Sequence, residues 1–74
     1  MKEGEKMGLS LKAARINSGL IRADVIKKLK DEYGIEISVN TLGNYENSKS
    51  QPDINTGKAL ASIYGMSVDD IKFF

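Results

Sequence analysis

Any chemistry in this chain has to be done without the two side chains that catalysis uses most. The 74 residues contain no His and no Cys, which removes the usual general base, the strongest nucleophile and the common zinc ligands. Carboxylates, serines and lysines remain, but a chain this short has little room for a concave pocket of the size enzymes use. The expectation is therefore no enzyme, no metal, no cofactor and no small-molecule ligand. The polar side chains of most interest are Asn40 and Asn44, one helical turn apart, with Val39 and Thr41 beside the first. Asn can offer a donor and an acceptor together to an adenine edge, and the methyls of Val or Thr can touch that of thymine. On spacing alone, these residues read as the solvent-facing side of a short helix.

The elements that must position them follow from the apolar pattern. A composition that is 41% hydrophobic and 28% charged is that of a globular domain. With no disulfide available, packing must hold it, and a chain of roughly 60 to 80 residues buries only about three-fifths of its unfolded surface. Apolar residues recur at helical spacing, and the breaks fall at glycines or capping residues. Leu9 to Ser18 reads as a first helix, with Leu9, Ala13, Ile16 and Leu20 near one stripe and Gly19 at its end. Arg22 to Tyr33 is a second, closed by Gly34, and Ile35-Glu36-Ile37 is an extended connector. Ser38 caps a short third helix, Val39 to about Asn47, with Leu42 and Tyr45 inward. Asp53 caps the fourth, Ile54 to Tyr64, before Gly65. Ser67 with Asp70 resembles a capping box and predicts a fifth helix over Val68 to Phe73. The expected fold is all-α, a compact bundle of five short helices. Residues 1–7 are expected to be a flexible N-terminal tail and residues 8–74 one domain. Met1 to Met7 is charged and has no apolar run behind it, so neither a signal peptide nor a membrane partner is expected, and the location is read as cytoplasmic.

Charge is nearly balanced at +1 but unevenly placed. Residues 1–30 hold eight Lys/Arg against three Asp/Glu, and residues 31–74 hold three against seven. Such asymmetry can orient a protein on a polyanion, although solvated helix faces produce it too.

Three segments carry a resemblance. Leu11-Lys12-Ala13-Ala14-Arg15-Ile16-Asn17-Ser18-Gly19-Leu20 looks like a first-helix pattern L-K-x-x-R-x-x-x-G-L. Ser38 to Lys49 looks like a recognition helix with the loop after it. Pro52-Asp53-Ile54 through Leu60-Ala61, then Tyr64-Gly65-Met66-Ser67-Val68-Asp69, is similar to a fourth helix and its closing turn. In this order they resemble the repressor/Cro-type helix-turn-helix family (Xre-like, lambda-repressor-like), over about residues 9 to 72.

The resemblance implies a sequence-specific reader of double-stranded DNA, a transcriptional regulator of the phage or mobile-element repressor type. In that fold the second helix of the motif enters the major groove and its first residues meet base edges. Base contacts are thereby implied for Val39, Asn40, Thr41 and Asn44. Phosphate contacts are implied for Arg22, which stands where the family usually has Gln, for Asn47 and Lys49, and more weakly for Lys12. Arg15 and Glu46 fall on the family's ion pair between its first and third helices.

Departures from the family are local. Eight residues separate Leu29 from Ser38, where the family has a much shorter turn, so the second helix and the turn are lengthened. Ile26 replaces a usual Ala between the two helices of the motif, and Ile21 replaces a usual Ser/Thr cap. One such domain covers a modest interface, so two copies on half-sites are implied. The apolar end, Ile71-Lys72-Phe73-Phe74, is the expected homodimer surface, with one of its two Phe closing the core. The alternative is a protein-interaction module, anti-repressor or antitoxin-like, that kept the fold without specific DNA binding; Gly43 within the third helix leaves room for it.

Overall fold

Each helix of this chain starts from an extended residue and stops where the backbone turns left-handed. The structure is a computed structural model and describes residues 9–72. In chain order it has β1 (Leu9–Ser10), α1 (Leu11–Asn17), α2 (Arg22–Tyr33), α3 (Val39–Glu46), α4 (Ile54–Ile63), a 3-10 turn over Val68–Asp70, and β2 (Ile71–Lys72). Ser10, Ser38 and Asp53 accept the backbone N–H groups of Ala13, Thr41 and Thr56 at 3.0, 3.0 and 2.8 Å. Each cap satisfies an otherwise orphaned donor and is worth about 1 kcal/mol. Thr56 holds the Asp53 carboxyl below its ordinary range through its hydroxyl and its N–H. Ile21, ahead of α2, has no acceptor to offer. Asp24 compensates, its carboxylate taking the Ile21 N–H at 3.1 Å.

Two helix ends set the geometry around α3. Gly34, at φ 68°, turns the chain out of α2, a conformation that costs an L side chain roughly 1–2 kcal/mol. The chain then runs extended to Ser38, and Ile35 and Ile37 pack half-buried against the core. At the far end of α3, Ser48 takes the same left-handed turn at φ 62°. Its N–H reaches the Tyr45 carbonyl and that of Lys49 reaches the Asn44 carbonyl at 2.9 Å, the paired closure of a Schellman motif.

The core lies where all four helices meet. Leu11, Val25, Leu29, Leu42 and Leu60 are its largest fully buried side chains. Ile26, the bulky residue between the motif helices, is half-buried against it. The last turn of α2 docks on α4: the Tyr33 hydroxyl donates to Ser62 Oγ at 2.7 Å.

Three expectations need correction. The first helix starts at Leu11, not Leu9, because Leu9–Ser10 pairs in parallel with Ile71–Lys72, Leu9 opposite Ile71 and Ser10 opposite Lys72. With the start shifted, Leu11 and Ala14 form the buried face, and Ile16 points outward at 55% exposure.

The fifth helix is absent: the described chain has four α-helices, and Val68–Asp70 is a single 3-10 turn. Ser67 Oγ takes the N–H of Asp69, two residues on, rather than that of Asp70, which closes a local turn instead of opening an α-helix. Ile71 then extends, buries its side chain at 6% exposure and pairs its backbone with β1.

The third correction follows from the second. Ile71 belongs to the core, so the C-terminal end does not offer it as a dimer surface, while Phe73, Phe74 and the 1–7 tail lie outside the described residues. Among the described residues, no helix is long and apolar enough to cross a membrane.

Candidate nucleic-acid interface

The outer face of α3 is defined by what its inner face must do. Leu42 is fully buried, and Tyr45, three residues on, packs against the core from a half-buried position. At 100° per residue this turns Asn40 and Asn44 outward on one side. Both are exposed, as is Val39 at the first turn. Thr41 is half-buried, and its hydroxyl lies 3.0 Å from Ser38 Oγ. Of the four residues implied for base contact, Asn40 and Asn44 share the open face, and Val39 is exposed at the first residue of the helix, on the angular side of Gly43 and Glu46. Thr41 stands at the edge of the open face, its hydroxyl engaged with the cap and its methyl the group left to offer.

The rotation of α3 is set by Glu46, in its last turn. The Glu46 side chain has 0% exposure, a costly position for a carboxylate unless it is paired and hydrogen-bonded. It is paired twice. Arg15, from α1, donates Nε to Oε2 at 2.7 Å and Nη2 to Oε1 at 3.3 Å, the two-pronged geometry that suits a guanidinium. Its Nη1 donates to the Leu20 carbonyl at 3.1 Å, tying in the turn between α1 and α2. Arg22, at the start of α2, donates Nε to Oε1 at 3.1 Å, with Nη2 at 3.0 Å from the same oxygen. Three helices thus converge on one carboxylate, and the cluster of two cations and one anion carries a net positive charge.

Arg22, one of the implied phosphate contacts, also has a task within the fold. Its side chain is 35% exposed, against 11% for Arg15, so the same guanidinium that binds Glu46 also reaches the surface. Asn47 and Lys49 are exposed in and after the C-cap of α3, and Lys12 is exposed on α1. The structure leaves Lys12 on another helix from the rest. The positive first half of the chain is partly an artefact of where the sequence is divided. Lys27 and Lys28 pair with Asp31 and Glu32 at 2.8 and 3.6 Å, and Lys30 lies 4.0 Å from Glu36. Local pairing thereby cancels most of the charge on α2. Hydrogen bonding to Asp31, and its charge, hold the Lys27 pKa up.

Sequence reasoning missed two neighbours of this cluster. Gly43 is buried in the middle of α3, directly beneath the Arg22 guanidinium; a glycine inside a helical pattern is the signal of such close approach. Tyr64, at the end of α4, is 7% exposed, and its hydroxyl has no hydrogen-bond partner among the described residues. Burial first, and then the Glu46 charge, push the tyrosine pKa well up, with Arg15 opposing in part. No pattern in the sequence marks that position as polar-facing.

A helix lodged on a core, with an outward polar face and a preceding helix packed across it, is the arrangement of a helix-turn-helix protein. A helix-turn-helix family profile matches residues 11–71. That is most of the chain, and the chain belongs to the helix-turn-helix family of Xre, Cro and lambda-repressor type, whose members are DNA-binding regulators of transcription. No curated protein and no solved structure matches it.

Two measurements test the cluster. Glu46→Gln leaves two guanidinium groups facing a neutral amide and is expected to cost about 3 kcal/mol, whereas Arg22→Gln, at a partly solvated position, is expected to cost about 1 kcal/mol or less. Urea unfolding of both variants would show that order, and equal losses would contradict it. The second is alkaline stability. Below pH 10 both folded and unfolded Tyr64 are protonated. Above it only the unfolded chain releases the proton, so stability falls as pH rises, by about 1.4 kcal/mol per pH unit at most. Tyr64→Phe is expected to flatten that part of the pH–stability curve and to cost little at neutral pH, since the lost hydroxyl has no described hydrogen bond.

Proposed function

We propose that this protein is a sequence-specific regulator that binds double-stranded DNA as two copies on adjoining half-sites, a repressor of the phage or mobile-element type. The observation that carries the reading is the outward face of α3, where Asn40 and Asn44 are exposed, with Val39 exposed at the helix start, on a helix whose other side is fastened by Leu42 and Glu46. A helix fixed in rotation can present the same side chains to a groove each time, and fixed presentation is what base readout needs. Asn40 and Asn44 are assigned to base edges, Val39 and the Thr41 methyl to apolar contact with thymine. Arg22, Asn47 and Lys49 are assigned to the phosphates around the groove, and Lys12 to a more distant one. Phosphate contacts of this kind fix register and supply affinity without reading sequence.

Two-fold use of such a domain requires a self-association surface. With Ile71 committed to the core, the exposed apolar side chains Ile54 (76% exposed) and Val68, beside Pro52, take that role in this reading. They line a shallow depression of about 220 Å³ with Asp53 and Lys58 at its edges.

Selection of bound duplexes from a random DNA pool at moderate salt tests the reading, with wild type and Asn40→Ala/Asn44→Ala side by side. The expected result is a two-fold symmetric motif for the wild type that is degraded or changed in the variant, at about 1–3 kcal/mol of discrimination per lost base contact. Absence of any enrichment by a folded wild-type protein would favour the protein-interaction module instead.

A further inference from the structure

We infer that Gly43 is a positioning residue for Arg22. Its missing side chain is the seat that lets the guanidinium lie across α3, bound to Glu46 on one edge and open to a DNA phosphate on the other. The phosphate half of this inference rests on the DNA-binding reading above; the seat itself rests on the geometry alone.

Glycine is a poor choice for the middle of a helix, and α3 has only eight residues. Nothing about the backbone asks for it, since the left-handed glycines are Gly19, Gly34 and Gly65, and Gly43 is not among them. What surrounds it does. A Cβ built at Gly43 would stand 3.3 Å from Arg22 Nη1, 3.6 Å from Cζ and 3.9 Å from Nη2. All three nearest atoms belong to the one guanidinium. Arg22 cannot simply retreat, because Nε and Nη2 are both held within 3.1 Å of Glu46 Oε1, and that carboxylate is itself locked by Arg15. A Cβ at position 43 therefore asks the guanidinium to give by a few tenths of an ångström, and a longer side chain loosens the Arg22–Glu46 contact or tilts the guanidinium outward.

The remaining donors explain why the seat matters for binding. A guanidinium has five N–H groups in a fixed plane. The Glu46 contacts use Nε and one side of Nη2, and no acceptor among the described residues takes Nη1. The plane is thus fixed by an internal carboxylate, on a side chain that is still 35% exposed and keeps its Nη1 donors uncommitted. An arginine held this way loses little freedom when it takes a phosphate, whereas a free arginine must first be ordered. Glycine at 43 and arginine at 22 form one unit: the guanidinium fits between the two helices because α3 presents only backbone opposite it.

The test is a double-mutant cycle read on two scales. Gly43→Ala, Gly43→Leu and Arg22→Gln are made singly, and each Gly43 change is also made in the Arg22→Gln background. DNA affinity is measured against salt on the duplex selected by the wild type. Gly43→Ala is expected to weaken binding about threefold and Gly43→Leu about tenfold, the scale of one charge-assisted contact. The salt slope should move towards that of Arg22→Gln, which lacks roughly one phosphate contact and so has a slope smaller by about 0.9. In the Arg22→Gln background, the Gly43 changes should alter affinity by less than about twofold, which is within experimental spread and far below one contact.

Thermal unfolding supplies the second scale. Alanine is the better helix former, so Gly43→Ala should raise Tm by a few degrees in the Arg22→Gln background, where the shorter side chain leaves space. With Arg22 in place and the space filled, the same change should bring no such rise. Equal effects of the Gly43 changes in both backgrounds, on affinity and on Tm, would overturn the inference. A wild type that binds no duplex would overturn the DNA reading and the phosphate half together. A Tm coupling surviving in that case would still place Gly43 beneath Arg22.

Discussion

The rest of the structure depends on the burial of one carboxylate. Glu46 sits in the last turn of α3 with its side chain fully buried, and its charge is tolerable only because Arg15 and Arg22 meet it from two other helices. Apolar packing of Leu42 and Tyr45 keeps α3 on the core but is indifferent to small rotations, since hydrophobic attraction has no direction. Hydrogen bonds to a carboxylate do have direction. The short Arg15 contact, the shared oxygen of Arg22 and the Arg15 bond to the Leu20 carbonyl together tie the α1–α2 turn, the start of α2 and the end of α3 into one unit.

That constraint holds α3 although a twelve-residue helix and an extended connector lead into it. The last turn of α2 lies at the opposite end from Arg22. It is fastened to α4 through Tyr33 and Ser62, and the connector after it covers the core with Ile35 and Ile37. The exit of α3, at Glu46 and the left-handed Ser48, is tied to the bundle. A helix held at its C-terminal turn and capped at Ser38 keeps its first turn outward, the part that the DNA-binding reading assigns to the groove.

What could be read from the sequence was what local chemistry decides. Gly34 and Ser38 mark the end of α2 and the start of α3 because a left-handed turn and an N-cap each need a particular residue type. Asp53 marks α4 for the same reason. The last segment was not legible in that way. Ser67 can bond to Asp69 or to Asp70, and what settles the conformation is the burial of Ile71 and its pairing with Leu9, more than sixty residues earlier. The same long-range pairing displaced the start of α1 and with it the phase of its apolar stripe. In the candidate site, the residue types of the α3 face were visible, but the second partner of Glu46 was not: Arg22 is 24 positions away. The glycine at position 43 was the local trace of that contact, and it becomes interpretable once the guanidinium above it is seen.

The measurement closest to the central claim, that Glu46 holds α3 with its first turn and Asn44 facing DNA, is amide chemical-shift mapping of the protein titrated with duplex DNA. Perturbations are predicted to be largest at Val39 to Asn44 and at Arg22, Asn47 and Lys49, with smaller ones at the Ile54–Val68 depression where the two copies meet. Shifts centred on that depression, with α3 unchanged as DNA saturates the protein, would contradict the account.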